Sequence, residues 1–254
     1  EQLFAARRWA QARAAFPALG AAAPRSDRDL VAIRIAEADY YLGRHRAART
    51  ALQPFLDGGE REAEARFFHL TATRALNDQR TYVTLARQLV SDHPDSEWAV
   101  ETLNNLASHY IIIDEDAEAD RVFRELLGRF PRHRYAERAT WKVGWFAYRH
   151  ERFAETADLF ERGAAAFPRA DNRPSWLYWS GRSRDRLGQA ALANERYRLA
   201  VADYQNSYYG RLASRILAQR SEPMVGPTTR VADAAPAPPA NVALIRALAA
   251  AGLY

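Results

Sequence analysis

Six histidines, His45, His69, His93, His109, His133 and His150, are the residues best suited by type to hold a metal or move a proton. None stands near another histidine or a carboxylate at a spacing such as His-Glu-x-x-His, which would set two imidazoles on one helix face. Their scatter points to surface and helix-end roles, and no metal is expected. The run Asp114-Glu115-Asp116-Ala117-Glu118-Ala119-Asp120 has the acids of a calcium loop, without its central glycine or its closing glutamate at the proper spacing. Acids placed so answer the positive end of a helix dipole. Gly58-Gly59 is a turn, no glycine-rich phosphate loop occurs, and nothing marks a nucleophile elbow. With no cysteine, disulfides, thiol catalysis and zinc–thiolate sites are excluded together. Neither a catalytic residue nor a cofactor is expected in this chain.

Binding chemistry is better represented. Trp141, Trp145 and Tyr148 follow one another at offsets of four and three, which makes one aromatic stripe on a helix. Such a stripe would stack on sugar rings or anchor a partner peptide if its helix lined a groove. The alternative is burial between neighbouring helices, which the energetics of large aromatic side chains favour.

The helices that would carry these residues come from an internal repeat. Ala119, Phe123 and Leu126 share one helix face, and Pro131 ends the segment. The same offsets recur at Tyr82, Ala86, Leu89 and Pro94, and at Thr156, Phe160, Gly163 and Pro168. The three prolines are each 37 residues apart. Ala193, Tyr197 and Ala200 continue the series; Ala48, Leu52 and Phe55 precede it, and Ala12 and Phe16 begin it. Twelve positions before the second-helix Ala or Thr comes a small residue, Ala107, Gly144 or Gly181, which lets paired helices approach closely. Turn signals separate the two helices at Leu42-Gly43-Arg44, Asp114-Glu115-Asp116, His150-Glu151-Arg152 and Leu187-Gly188-Gln189. Six such units resemble tetratricopeptide repeats, whose period is about 34 residues. The expected fold is all-α, a right-handed superhelical solenoid of helix hairpins with a concave binding surface. On that surface Asn104 and Ser108 on one side, and Tyr178 and Arg182 on the other, stand level with the stripe; Arg138 and Arg182 would meet carboxylates.

Composition agrees. The chain is 254 residues long, 48% hydrophobic and 26% charged, with a formal net charge of +5. Nearly all the positive charge is arginine, and Lys142 is the only lysine. Acids interrupt the arginines, as in Asp27-Arg28-Asp29 and Glu60-Arg61-Glu62, a pattern of solvated helix faces that points away from nucleic acid. The longest purely aliphatic stretch, Ile111-Ile112-Ile113, falls far short of the roughly 20 residues of a membrane span.

A narrower resemblance lies near the end of the array. Ser175-Trp176-Leu177-Tyr178-Trp179-Ser180-Gly181-Arg182 is followed by a hairpin and then by Ser207-Tyr208-Tyr209-Gly210-Arg211-Leu212-Ala213. This phrase, with Trp176, Tyr178, Trp179, Gly181, Tyr208, Tyr209, Gly210, Leu212 and Ala213 as its motif residues, resembles the end of the α-superhelical region of soluble lytic murein transglycosylases. The resemblance implies a scaffold in the bacterial periplasm that embraces peptidoglycan glycan strands or peptide stems and orients a lysozyme-like catalytic domain. That domain's glutamate is directly followed by serine, with a Gly-Leu-Met-Gln turn downstream. No glutamate here is followed by serine, and the single methionine, Met224, precedes Val225-Gly226-Pro227. The family's activity therefore falls on no residue of this chain. The rival expectation is a non-enzymatic tetratricopeptide adaptor of the cell envelope whose partners are proteins.

The expected organisation is a tetratricopeptide-like domain over 1–217, a Pro/Ala-rich linker over 218–240, and the start of a further helical region over 241–254 with Asn241 as N-cap. Glu1-Gln2-Leu3-Phe4 reads as helix interior, so residues are expected before Glu1 as well as after Tyr254.

Overall fold

The computed structural model describes residues 2–22 and 24–220, together with Ala247 and Ala250, which are helical. The expected linker from 221 and the Asn241-capped helix otherwise lie outside the described residues. The elements are α1 Gln2–Ala5, α2 Trp9–Ala22, α3 Arg25–Tyr41, α4 His45–Leu52 with a 3-10 turn Gln53–Phe55, α5 Glu62–Ala75, α6 Gln79–Asp92, α7 Glu97–Ile112, α8 Asp116–Arg129, α9 Arg134–Arg149, α10 Phe153–Ala166, α11 Arg173–Arg186, α12 Ala190–Tyr204 and α13 Tyr208–Gln219. No strand occurs among the described residues, and none of their helices is long and apolar enough to cross a membrane. The last helix runs to Gln219, so the first two residues assigned to the linker are helical. The chain divides into two compact units, 1–163 and 164 onward, each described here by itself.

Each hairpin closes in the same way. The first helix ends at a residue with positive φ, and these recur at the repeat period: Gly43, Asn77, Asp114, Glu151 and Gly188. Around each, the amide one residue on returns to a carbonyl five positions back, as in Arg44 N–H to Asp39 O at 2.8 Å and Gln189 N–H to Arg184 O at 2.9 Å. This is the Schellman arrangement, and it satisfies carbonyls that a helix end leaves open. Asp114 thus makes the turn itself, while Asp116 and Glu118 occupy the first turn of α8. At the other ends, Asp78, Ser96 and Ser207 accept hydrogen bonds from the third amide of α6, α7 and α13.

The periodic positions form the interior. Tyr82, Ala119, Thr156 and Ala193, one repeat apart, are all buried, as are Ala86, Phe123, Phe160 and Tyr197. Bulk on one helix of a pair meets a gap on the other. A Cβ placed on Gly144 of α9 would lie 2.2 Å from Phe160 Cε1 of α10, and one on Gly181 of α11 would lie 2.6 Å from Tyr197 Cε1 of α12. Gly144→Ala should therefore destabilise the protein by about 1–3 kcal/mol through overpacking. The urea midpoint should fall and recover in part when Phe160→Leu is added; an unchanged midpoint for Gly144→Ala alone would contradict this packing.

Candidate functional site

In the first unit the first helices are tied side by side. Arg34 of α3 reaches Glu64 of α5 at 2.8 Å, and Phe67 and Phe68 of α5 pack on Trp98 of α7 with centroids 4.9 and 5.6 Å apart. Between α7 and α9, Arg134 pairs with Glu101, and Tyr135 Oη donates to the same carboxylate at 2.7 Å. Three sequence candidates meet at this junction. Arg138 donates through Nη1 to Asn104 Oδ1 at 2.6 Å and through Nη2 to Ser108 Oγ at 3.0 Å, and its guanidinium lies over Phe123, 5.5 Å from the centroid. Asn104 is buried, and Arg138 and Ser108 are half-buried. Among the described residues no carboxylate pairs with Arg138, and burial pulls its pKa below the usual arginine value.

The aromatic stripe of α9 is a stack. Trp141 and Trp145 have centroids 5.8 Å apart and planes 10° from parallel; Trp145 and Tyr148 follow at 5.7 Å and 9°. Trp141 also stacks on Phe160 at 5.7 Å. All three stripe residues are half-buried. Neither a fully open groove lining nor a fully buried core contact describes them.

In the second unit, Tyr178 corrects the expectation that it lines a groove. It is 5% exposed, with Trp179, Tyr197 and Tyr209 around it at 5.3, 6.0 and 5.4 Å. Arg182 donates to the Tyr178 hydroxyl at 3.1 Å and covers its ring. Most of the remaining motif residues hold the hairpin to the helix after it. Trp176 is fully buried, and Ala213 is buried in α13. A Cβ on Gly210 would lie 1.9 Å from the carbonyl oxygen of Tyr204, and the Gly210 amide donates to the Ser207 cap at 3.0 Å. Leu212, Tyr209 and Trp179 are half-buried, whereas Tyr208 is 63% exposed. Near the end of α13, Arg220 donates to Asp185 and to Asn194, both at 2.7 Å, and Tyr197 Oη donates to the same Asp185.

The comparisons with known proteins fall in line with this geometry. No protein-family model matches the chain, and no curated protein is similar to it in sequence. Among solved structures it resembles the C-terminal part of a tetratricopeptide-repeat protein from Cytophaga hutchinsonii, with a TM-score of 0.57 and 13% identity over 86% of this chain and 85% of that one. The fold is a tetratricopeptide-like helical solenoid. A putative kinesin light chain from Podospora anserina, with nearly identical tetratricopeptide-like repeats, matches at a TM-score of 0.46 and 13% identity, over 78% of this chain and 99% of that one.

Within this solenoid the histidines serve mostly as fittings. His133 caps α9, accepting from the Tyr135 amide, and His93 faces Glu62 at 3.2 Å where α6 ends. His109 departs from the surface expectation: it is 4% exposed against Tyr82, and burial lowers its pKa. Among the described residues no group of His, Asp and Glu could hold a metal ion.

Sequence reasoning missed a buried carboxyl pair. Glu37 of α3 is fully buried and Glu64 of α5 is 5% exposed; Arg34 Nη1 bridges them at 2.7 and 2.8 Å, and Arg61 adds a bond to Glu64 at 2.6 Å. Glu37 Oε1 has no hydrogen-bond partner among the described residues. Burial, and then the neighbouring Glu64, push the Glu37 carboxyl up to about 8 against the pull of Arg34. An acid raised on folding favours the folded state fully below its unfolded pKa and loses that advantage as pH climbs through the folded one. Between about pH 5 and pH 9 the thermal midpoint of the wild type should therefore fall relative to that of Glu37→Gln. A constant difference across that window would show that Glu37 stays ionised.

Proposed function

We propose that this solenoid is a binding scaffold for another macromolecule and, more finely, the helical body of a periplasmic lytic transglycosylase that works on peptidoglycan. The observation that carries the scaffold reading is the stacked, half-accessible ladder of Trp141, Trp145 and Tyr148 beside the Arg138 junction. The accessible parts of the three stacked rings offer apolar surface to sugar rings, and a half-buried arginine with neutral partners offers charge to a carboxylate on a peptide stem. The finer reading is supported by the Trp176 to Ala213 phrase. Its glycines stand where a side chain would strike Tyr197 or the Tyr204 carbonyl, so the phrase specifies a particular junction of hairpin and helix. The bond-breaking step belongs, in this reading, to a separate lysozyme-like domain. An envelope adaptor without an enzyme is the rival, and it would use the same ladder for a polypeptide.

Co-sedimentation with purified peptidoglycan sacculi separates them. Retention on sacculi is expected, and Trp145→Ala should weaken it by about twofold to tenfold, the worth of one aromatic contact. Retention that is indifferent to Trp145 would remove the ladder from the binding face. Absence of retention would overturn the peptidoglycan reading and leave the adaptor.

A further inference from the structure

Charge is divided unevenly between the two compact units. Residues 1–163 carry 24 basic and 25 acidic side chains, so the first unit is close to neutral. Residues 164–220 carry ten arginines against four acids, and residues 221–254 add two of each sign. The positive charge of the whole chain therefore comes from one short stretch, in which every basic group is arginine. An excess of one sign confined to part of a chain points to a partner of the opposite sign.

Within that stretch the acids are mostly occupied. Asp185 holds Arg220 at 2.7 Å, Asp203 holds Arg173 at 2.6 Å, and Glu195 lies 4.0 Å from Arg196. Arg169, Arg211 and Arg215 are exposed and have no carboxylate partner among the described residues. Arg211 donates only to the Asn206 carbonyl, at 2.6 Å. Two of the three belong to α13, which contains no acid. Gly210, Ala213 and Leu217, at offsets of three and four, bury one face of that helix. The opposite face carries Arg211 and Arg215, with Tyr208, 63% exposed, beside them and half-buried Leu212 and Ile216 along the flank. The same unit leaves Leu187, Leu192 and Leu199 exposed, the last two seven residues apart on one face of α12.

Guanidinium forks suit phosphate oxygens, which an anionic lipid surface and a nucleic-acid backbone both supply. The apolar side chains separate the two. Exposed leucines gain nothing from a hydrated sugar–phosphate backbone, whereas a bilayer interface takes up leucine and tyrosine beside basic residues. We propose that the second unit lies on an anionic phospholipid surface, with Arg211 and Arg215 on lipid phosphates and Tyr208 at the headgroup level. The contact is peripheral, since α13 has only 12 residues and keeps its buried face packed in the protein.

The test uses the full chain and sedimentation with vesicles of phosphatidylcholine, alone or with about one-third phosphatidylglycerol. The protein should pellet with the anionic vesicles only, and about 0.5 M salt should release it. Arg211→Gln combined with Arg215→Gln should weaken pelleting by about tenfold to thirtyfold, with an unchanged melting curve. Tyr208→Ser should weaken it by about twofold to fivefold. Arg80→Gln combined with Arg132→Gln removes the same charge from exposed positions of the first unit and should leave pelleting unchanged. Equal pelleting with both kinds of vesicle, none with either, or equal losses in the two double variants would overturn the inference. A single-stranded oligonucleotide that bound through Arg211 and Arg215 while anionic vesicles left the protein in solution would assign the face to nucleic acid instead. Purified sacculi carry no bilayer, so their retention through Trp145 tests the peptidoglycan reading separately.

Discussion

Bulk on one helix and its absence on the partner helix, sixteen residues on, form the contact on which this molecule is built. Gly144 with Phe160 and Gly181 with Tyr197 make it directly, and the same sixteen-residue offset pairs Ala36 with Leu52, Leu70 with Ala86 and Ala107 with Phe123, with nearly all of these residues fully buried. In four of these pairs the first helix carries the small residue. In the remaining one the order is reversed, with Leu70 large and Ala86 small. What persists is the summed volume at the crossing, which close packing demands whatever the identity of each partner. A hairpin packed this way still leaves one flank uncovered, and stacking the next hairpin covers it, so each repeat depends on its neighbour.

Ionic ties between repeats add less. Arg87 with Glu125 and Arg124 with Glu155 join successive second helices, and Arg134 with Glu101 joins first helices, but all are partly or fully exposed. Exposed pairs of this kind contribute little, because water screens the charges and holding two long side chains together costs entropy. Their larger effect is on register, since each arginine finds its acid only when neighbouring helices are aligned. The Glu37, Arg34 and Glu64 group differs because it is buried, and its charge state is coupled to the packing of α3 on α5.

Much of this was legible in the sequence because a repeat writes its core several times. Ala119, Phe123 and Leu126 alone would be one amphipathic helix among many; repeated at 82 and 156 they define an interior, and the structure buries them all. The hairpin turns were legible at Gly43, Asp114, Glu151 and Gly188, and missed at Asn77, where an ordinary residue takes the left-handed conformation because the hydrogen bonds around it demand it. Equivalence between repeats misled at Tyr178. It follows Trp141 by one repeat and Asn104 by two in the sequence, yet in the second unit Tyr209 and Tyr197 pack round it and it is buried, as Asn104 is in the first. Nor does spacing reveal that Arg138 would be met by two neutral acceptors, or that Glu37 would face Glu64. Both depend on which helix lies alongside, and an acid three residues from an arginine looks the same on an exposed helix as on a buried one.

The central claim, that complementary volume at each crossing holds the solenoid together, is tested most directly at the inverted pair. Leu70→Ala and Ala86→Leu each disturb the α5–α6 crossing, one by a cavity and one by overpacking, and each should lower the urea midpoint clearly, by about 2–5 and 1–3 kcal/mol respectively. Combined, they restore the order seen at the other four pairs, and the double variant should recover most of the loss, a strongly favourable coupling in a double-mutant cycle. Additive destabilisation would contradict the account and place the stability of the array somewhere other than these crossings.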